Sequence, residues 1–202
     1  MPAATTNTFI IMKKIIAIVA LILMTLTVSA QDDAKYTIKA GAGASSIVGA
    51  DADTNMKFAF KVGASYDLSL SENFSIIPGL ELAFKGYGSD IYSKDVNMGY
   101  LEVPIFAAYK FPLTDNMKLA VKAGPYVAVG LFGSELEFGN MKFGIFDSEY
   151  GYSRFDVGAI GGVSLEFEKF MVGVEYSRSL KKLDSDFSQY NQAFGAVFGY
   201  KF

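Results

Sequence analysis

NMGYLEVPIFAAYKFPLTDNMKLAVKAGPYVAVGL, residues 97–131, decides how the rest of the chain is read. In its first half Gly99, Leu101, Val103, Ile105, Ala107, Tyr109 and Phe111 take one face; Tyr100, Glu102, Pro104, Phe106, Ala108 and Lys110 take the other. After a turn at Pro112 to Asn116, Met117, Leu119, Val121, Ala123, Pro125, Val127, Val129 and Leu131 oppose Lys118, Ala120, Lys122, Gly124, Tyr126, Ala128 and Gly130. A period of two held over about a dozen residues describes strands twice the usual globular length. At roughly 3.3 Å per residue and a tilt of about 40°, about ten such residues cross the hydrocarbon of a bilayer. One face is continuously apolar and the other mixes charge, tyrosine and small residues. The pair therefore reads as a transmembrane β-hairpin.

The alternation recurs on both sides of it. Further strands are predicted at Tyr36–Ser45, Lys57–Leu68, Phe74–Lys85, Phe155–Phe167, Phe170–Ser177 and Ala193–Phe202. Pro78, which has no N–H to give the ladder, predicts a bulge or a local widening in the third strand. The segments Glu135–Phe138 and Met141–Phe146, around a Gly139-Asn140 turn, look extended and are read as barrel strands running on past the membrane. Connections after the second, fourth and sixth strands are short, whereas those after the first, third, fifth and seventh are long and polar. The fold expected is all-β: an eight-stranded antiparallel transmembrane up-and-down barrel, with both termini on the periplasmic side beside the tight turns.

Composition agrees. The 202 residues hold 20 Gly, 18 Phe and 12 Tyr, but no Trp, His or Cys, and the formal net charge is −3. Phe and Tyr favour strands. Without cysteine there is no disulfide framework or thiol nucleophile, and without histidine the commonest general base and zinc ligand are missing. No basic patch stands free of acidic neighbours, so nucleic acid is not an expected partner. At the amino terminus Lys13 and Lys14 precede the apolar run Ile15–Val28 and the small-residue ending Val28-Ser29-Ala30. This reads as an export signal over residues 12–30, with a non-native start extension expected over 1–11 and a barrel domain over 31–202.

Cost decides which face is which. A Lys or Arg exposed at the bilayer midplane costs about 2–4 kcal/mol, and the apolar faces carry essentially no charge. The opposite faces carry Lys39, Lys57, Lys61, Lys85, Lys110, Lys118, Lys122 and Arg154, with Asp67, Glu81, Glu102, Asp156, Glu166 and Glu175. These are expected to pair as an ion network inside a narrow lumen, since pairing is what makes such burial tolerable. Glu102 is expected to meet Lys57, Lys61, Lys118 or Lys122. The inside-out alternative is a soluble secreted barrel that binds a small apolar ligand. Volume weighs against it, because eight strands enclose too little space for six or so bulky side chains from each.

Gly99-Tyr100-Leu101-Glu102-Val103-Pro104-Ile105 running to Tyr109-Lys110-Phe111, the glycine-rich strand Phe155–Phe167 and the ending Gly199-Tyr200-Lys201-Phe202 resemble the PorT-like outer-membrane β-barrel proteins of the Bacteroidetes. The likeness extends over Tyr36 to Phe202. It implies a cell outer-membrane location, outer-membrane lipid and lipopolysaccharide as surroundings, and recognition of the terminal Phe202 by barrel-assembly machinery during insertion. The name-giving relative acts in protein secretion, and no catalytic motif carries over from it.

Asp51, Asp53 and Asn55 open like a calcium loop, but Met56 replaces its glycine and Val62 its bidentate glutamate. Neither a metal nor a cofactor is expected. A barrel-embedded lipid-modifying enzyme is a further alternative. Without His its serine nucleophile would need a lysine base, and no outer-loop serine stands out from turn residues. The remaining functional signal is the connection Gly133–Ser153, where Phe138, Phe143, Phe146, Tyr150 and Tyr152 alternate with Glu135, Glu137, Asp147 and Glu149. One reading of this connection is an aromatic girdle with a self-packed hairpin tip; the other is a binding surface, since exposed aromatics rimmed by charge suit a surface protein or glycan. The reading is thus a small non-enzymatic outer-membrane barrel, structural or surface-binding through its outer loops. Cell fractionation is expected to find it in the outer membrane with Gln31 at its amino terminus; a chain released by carbonate would overturn the membrane reading.

Overall fold

The computed structural model describes residues 35–49, 54–88, 95–138, 141–146, 152–183 and 188–202. The expected start extension and export signal lie outside these residues, as do Asp51, Asp53, Asn140, Asp147, Glu149 and Tyr150. Ten strands follow in chain order: β1 (Lys35–Gly49), β2 (Lys57–Ser69), β3 (Phe74–Tyr87), β4 (Val96–Thr114), β5 (Met117–Gly133), β6 (Glu135–Phe138), β7 (Met141–Gly144), β8 (Phe155–Phe167), β9 (Phe170–Ser179) and β10 (Gln189–Lys201). Eight of them close into an antiparallel barrel in the order β1-β10-β9-β8-β5-β4-β3-β2. Closure is made by β1 against β10, from Thr37 opposite Lys201 to Gly49 opposite Gln189.

Alternation sorts the side chains as the membrane reading requires. Ile38, Phe198 and Val174 on the outer face are 58%, 53% and 62% exposed, whereas Tyr100, Phe106 and Tyr126 on the inner face are each 1% exposed. Because the bulky apolar residues face out and the charges face in, the inside-out alternative does not describe this barrel. Rings also cluster near the tight turns, where Tyr36 lies 4.8 Å from Tyr66 and Tyr109 lies 4.7 Å from Phe111.

The differences from expectation have local causes. β1 runs on beyond Ser45 to Gly49, because β10 starts earlier than Ala193 and pairs Gln192, Asn191 and Tyr190 with Ser46, Ile47 and Val48. Polar residues there break the apolar alternation, yet side chains support the ladder: Gln192 Nε2 donates to Ser46 Oγ at 3.0 Å. Pro78 produces a widening without a bulge. The β2–β3 ladder is interrupted between Ser65/Gly79 and Leu68/Ile76, and the β3–β4 ladder between Pro78/Ile105 and Glu81/Glu102. Both resume in the same register.

β6 and β7 are not prolongations of the barrel strands. They form their own two-stranded ribbon, set off by a register shift in the β4–β5 pairing between Gly99 and Tyr100. Ser134 then anchors the ribbon's base: its N–H donates to Asn97 O at 2.8 Å and its hydroxyl accepts the Asn97 N–H at 2.9 Å. Turns between β2 and β3, β4 and β5, and β8 and β9 are tight, whereas every connection at the opposite end is longer. Val174→Lys, in the middle of β9 on the lipid face, is expected to lower stability in bilayers by about 2–4 kcal/mol, as read by denaturant unfolding in vesicles.

Candidate functional site

Two regions hold the polar chemistry: the lumen and the mouth at the loop end. In the lumen, register places glycine beside the longest side chains. One row across the wall reads Gly43, Gly195, Glu175, Gly162, Lys122 on β1, β10, β9, β8 and β5. A Cβ on Gly162 would come 2.9 Å from Glu175 Cγ, and one on Gly63 would come 2.7 Å from Glu81 Cγ. The glycines are the seats over which the neighbouring carboxylate arms lie flat.

At mid-height, Glu81 and Glu175 are shared by three lysines. Lys39 Nζ is 2.7 Å from Glu81 and 3.2 Å from Glu175; Lys122 Nζ is 2.8 Å from Glu175. Lys61 bridges the same two, lying 3.3 Å from Glu81 and bonded to Glu175. Lys39 and Lys122 also flank the Phe106 ring, at 5.1 and 4.8 Å from its centroid, so one buried aromatic face supports each cation. Glu81 and Glu102 stand directly opposite each other on β3 and β4, a destabilising like-charge pair unless each is compensated. Glu102 is compensated by Lys85, 2.5 Å away, and not by the lysines expected from the sequence. Toward the loop end, Asp156 accepts from Tyr126 Oη at 3.1 Å and from Ser179 Oγ at 2.7 Å. Toward the turn end, Lys110 pairs with Asp67 and lies 3.7 Å from Glu166, which Lys201 reaches at 2.6 Å.

Three expected members lie outside this network. Lys57, the first residue of β2, pairs at the rim with Asp95 at 3.1 Å. Lys118, beside the tight turn at the start of β5, is exposed. Arg154 precedes β8, donates to Gly130 O at 3.3 Å and covers the Phe146 ring. All three sit at strand ends, where the inward face has already opened to water. Lys201 was missed as a partner, although its place in the Gly199/Lys201 alternation marks it as inward. With it, Lys39, Lys61, Lys85, Lys110, Lys122 and Lys201 balance Asp67, Glu81, Glu102, Asp156, Glu166 and Glu175 among the described residues.

The mouth is closed by the connection expected to bind partners. After β7 the chain turns inward: Ile145 and Phe146 are 2% and 4% exposed. Phe146 packs edge-on against Tyr100 at 5.5 Å and fills the space over Gly130, where a Cβ would lie 2.6 Å from the ring. Leu183 from the last long connection is buried in the same cluster with Ile47, Val96 and Met98. Tyr152 shares a 3.1 Å hydroxyl contact with Tyr87. Phe146 is therefore part of a stopper and not an exposed aromatic, and Ile145 and Leu183 join it unannounced by any alternation. Glu135 is exposed; the side chains of Glu137, Phe138 and Phe143 lie outside the described part. Phe202 is exposed at the turn end, its N–H donating to Tyr36 O at 2.8 Å.

Among the described residues, long side chains and rings occupy the lumen at several heights. A cavity of about 40 Å³ lies beside Lys61, Lys85, Glu102 and Glu175, enough for water but not for a substrate. Among the described residues no three metal-ligating side chains converge.

A family model described as outer membrane protein beta-barrel domain matches residues 29–185. No curated protein matches the chain by sequence. Among solved structures, Neisserial surface protein A is similar over 85% of this chain and 100% of its own, at 13% identity and a TM-score of 0.53. The outer membrane enzyme PagL is similar over 81% and 97%, at 14% identity and 0.52. Ail, the attachment invasion locus protein of Yersinia pestis, is similar over 85% and 100%, at 15% identity and 0.46. At these identities the likeness is one of fold. Glu175→Ala would leave Lys122 without its carboxylate and Lys39 and Lys61 sharing Glu81 alone, and removing one partner of a buried pair costs about 3–5 kcal/mol. The temperature at which the folded band is lost on an unboiled gel should fall, and should fall further than for Glu102→Ala, which strands Lys85 alone.

Proposed function

The chain belongs to the outer membrane protein beta-barrel domain family, and on that premise we propose that it is a non-catalytic barrel working from the cell surface through its long connections. The observation that carries this reading is the filled, charge-balanced lumen beneath a hydrophobic stopper. Such an interior offers neither a channel nor a substrate cavity. What remains for chemistry is the surface beyond the stopper, where the β6–β7 ribbon carries acidic and aromatic residues. A surface protein or glycan is the class of partner that such a ribbon suits.

The finer parts of the reading share this support. An export signal over 12–30 and a mature chain from Gln31 fit a family whose members reach the outer membrane. Placing the tight turns and both termini in the periplasm fits the uneven connections, with lipopolysaccharide then around the loop end. The motif from Gly99 to Phe111 supports affiliation with the PorT-like barrels, and the terminal Phe202 supports recognition by barrel-assembly machinery. A lipid-modifying enzyme fits less well. The chain has no histidine, and the lumen lysines that would have to replace it as a base are each held by carboxylates.

The test removes the ribbon and keeps the stopper. Replacing Glu135–Gly144 by a short glycine-asparagine turn leaves Ser134, Ile145 and Phe146 in place, so the barrel should still run as a folded band. Mild-detergent purification of both forms, with mass spectrometry, should show a protein or glycan retained by the intact chain and lost from the shortened one. Identical partner-free preparations would refute surface binding and leave a structural barrel.

A further inference from the structure

Along the outward-facing positions of the described barrel strands Arg178, next to the end of β9, is the one charged side chain. It continues the exposed row Val172, Val174 and Tyr176 and is itself exposed. A cation on the lipid face is costly at the bilayer midplane and tolerated near the interface, and Arg178 lies at the loop end. Its neighbours leave it open. Across the ladder on β8 stands Ala159, too small to cover it. On β10 stands Gln192, whose amide is engaged by Ser46 at 3.0 Å and by Tyr176 at 3.2 Å.

Two more cations follow at once in the chain, Lys181 and Lys182. β9 stops short of its neighbours: its ladders end at Ser179 opposite Gly158 and at Arg178 opposite Gln192, while β8 reaches up to Phe155 and β10 to Gln189. The chain beyond β9 crosses this notch in the rim. Leu180 N–H donates to Val157 O at 2.8 Å on one side, and Leu183 N–H donates to Gln189 O at 2.9 Å on the other. Leu183 turns into the stopper, whereas Leu180 and Lys182 are exposed. Lys181 is fixed by uncharged groups. Its Nζ donates to Ser153 Oγ at 2.7 Å and to Phe155 O at 3.1 Å, and lies 5.2 Å from the centre of the Phe155 ring. An ammonium has three donors, so one is left over. Among the described residues no carboxylate pairs with Arg178, Lys181 or Lys182, in contrast to the lysines of the lumen network.

We propose that this notch binds a phosphate of the lipid A part of lipopolysaccharide, with Arg178, Lys181 and Lys182 as its ligands and the acyl chains on the apolar belt below. The inference rests on the reading that places this end of the barrel at the cell surface, and it assigns a site where that reading gives only surroundings. A guanidinium fork meets two phosphate oxygens at once, and each lysine adds a point charge. A phosphomonoester, carrying about −1.5 to −2 at neutral pH, matches three cations better than the single charge of a phosphodiester does. The chain has no tryptophan or cysteine, so one introduced residue of either kind reports without background.

The full chain carrying Leu180→Trp, folded in detergent micelles, is titrated with bisphosphorylated lipid A, with the same lipid stripped of its phosphates, with phosphatidylglycerol and with inorganic phosphate. Bisphosphorylated lipid A should shift the emission saturably. Arg178→Gln/Lys181→Gln/Lys182→Gln, which should still run as a folded band on an unboiled gel, should raise the half-saturating concentration at least ten-fold, and so should removal of the phosphates. An unchanged value in the triple variant, or equal binding of the stripped lipid, overturns the site; equal saturation by phosphatidylglycerol or inorganic phosphate overturns the occupant. A second measurement needs no tryptophan: lipopolysaccharide carried through purification by the unsubstituted chain should exceed that carried by the triple variant several-fold, and equal amounts overturn the site. Orientation is read separately from Glu135→Cys, on the ribbon at the same end. Failure to react with an impermeant maleimide on intact cells overturns the surface reading and the proposal with it, whereas reaction without phosphate-dependent binding overturns the proposal alone.

Discussion

Every barrel strand must find hydrogen-bond partners on both sides, because hydrocarbon offers none and each unsatisfied backbone group there costs several kcal/mol. The rest of the molecule follows from that. β1 and β10, the two ends of the barrel segment, have to meet, and they do so along nearly their whole length. Among the described residues, two kinds of departure from the ladder fall where something else meets the constraint. At Pro78 and Pro104 the ring has already removed the donor, and the β2–β3, β3–β4 and β4–β5 ladders open near these residues without losing register. At Gly86 the Ser45 hydroxyl takes the place of a neighbouring strand. A tolerated gap in the wall is therefore a local substitution of partners and not a weakness in closure.

Closure at eight strands sets the second condition, a lumen so narrow that inward side chains must touch. Charges brought that close are stable only if they balance, and glycine lets them reach one another. Gly63 and Gly162 give Glu81 and Glu175 room to lie along the wall toward lysines two or three strands away. Phe106 separates Lys39 from Lys122 and presents a ring face to both. Above this network, Phe146 occupies the space over Gly130 as the charged arms occupy theirs. The same device, a long side chain over a glycine, thus builds both the ion network and the stopper. An interior organised in this way is a structural filling, and it moves function to the outer surface.

The membrane strands were legible in the sequence because a half-buried strand repeats every two residues whatever it pairs with. That period located Phe155–Phe167 to the residue, separated the apolar belt from the charged face, and counted eight strands. It also marked nearly all the lumen charges, since Lys39, Lys61, Glu81, Lys85, Glu102, Lys110, Lys122, Asp156, Glu166 and Glu175 lie on the face opposite the aromatics and are half-buried to buried. Where the alternation frays, the sequence marks the strands less well: the polar ends of β1 and β10 carry no apolar period, and β6 and β7 have the period of barrel strands without joining the barrel.

Pairing within the lumen could not be read, because it depends on register and shear, which put residues far apart in sequence at the same height. Glu102 and Lys85 are neighbours only once β3 and β4 are aligned so that Glu81 faces Glu102. Lys57, Lys118 and Arg154 have the right face but sit at strand ends, and distance from the end is a property of the closed barrel. Ile145, Phe146 and Leu183 lie in connections, where no period constrains the backbone, and their burial follows from the shape of the mouth they fill. The sequence by itself thus determined the strand number, the two faces and the membrane as solvent, all of which follow from a local period. Tertiary structure alone decided the ion pairs and the stopper, because each depends on strands separated in sequence being brought into one register by closure.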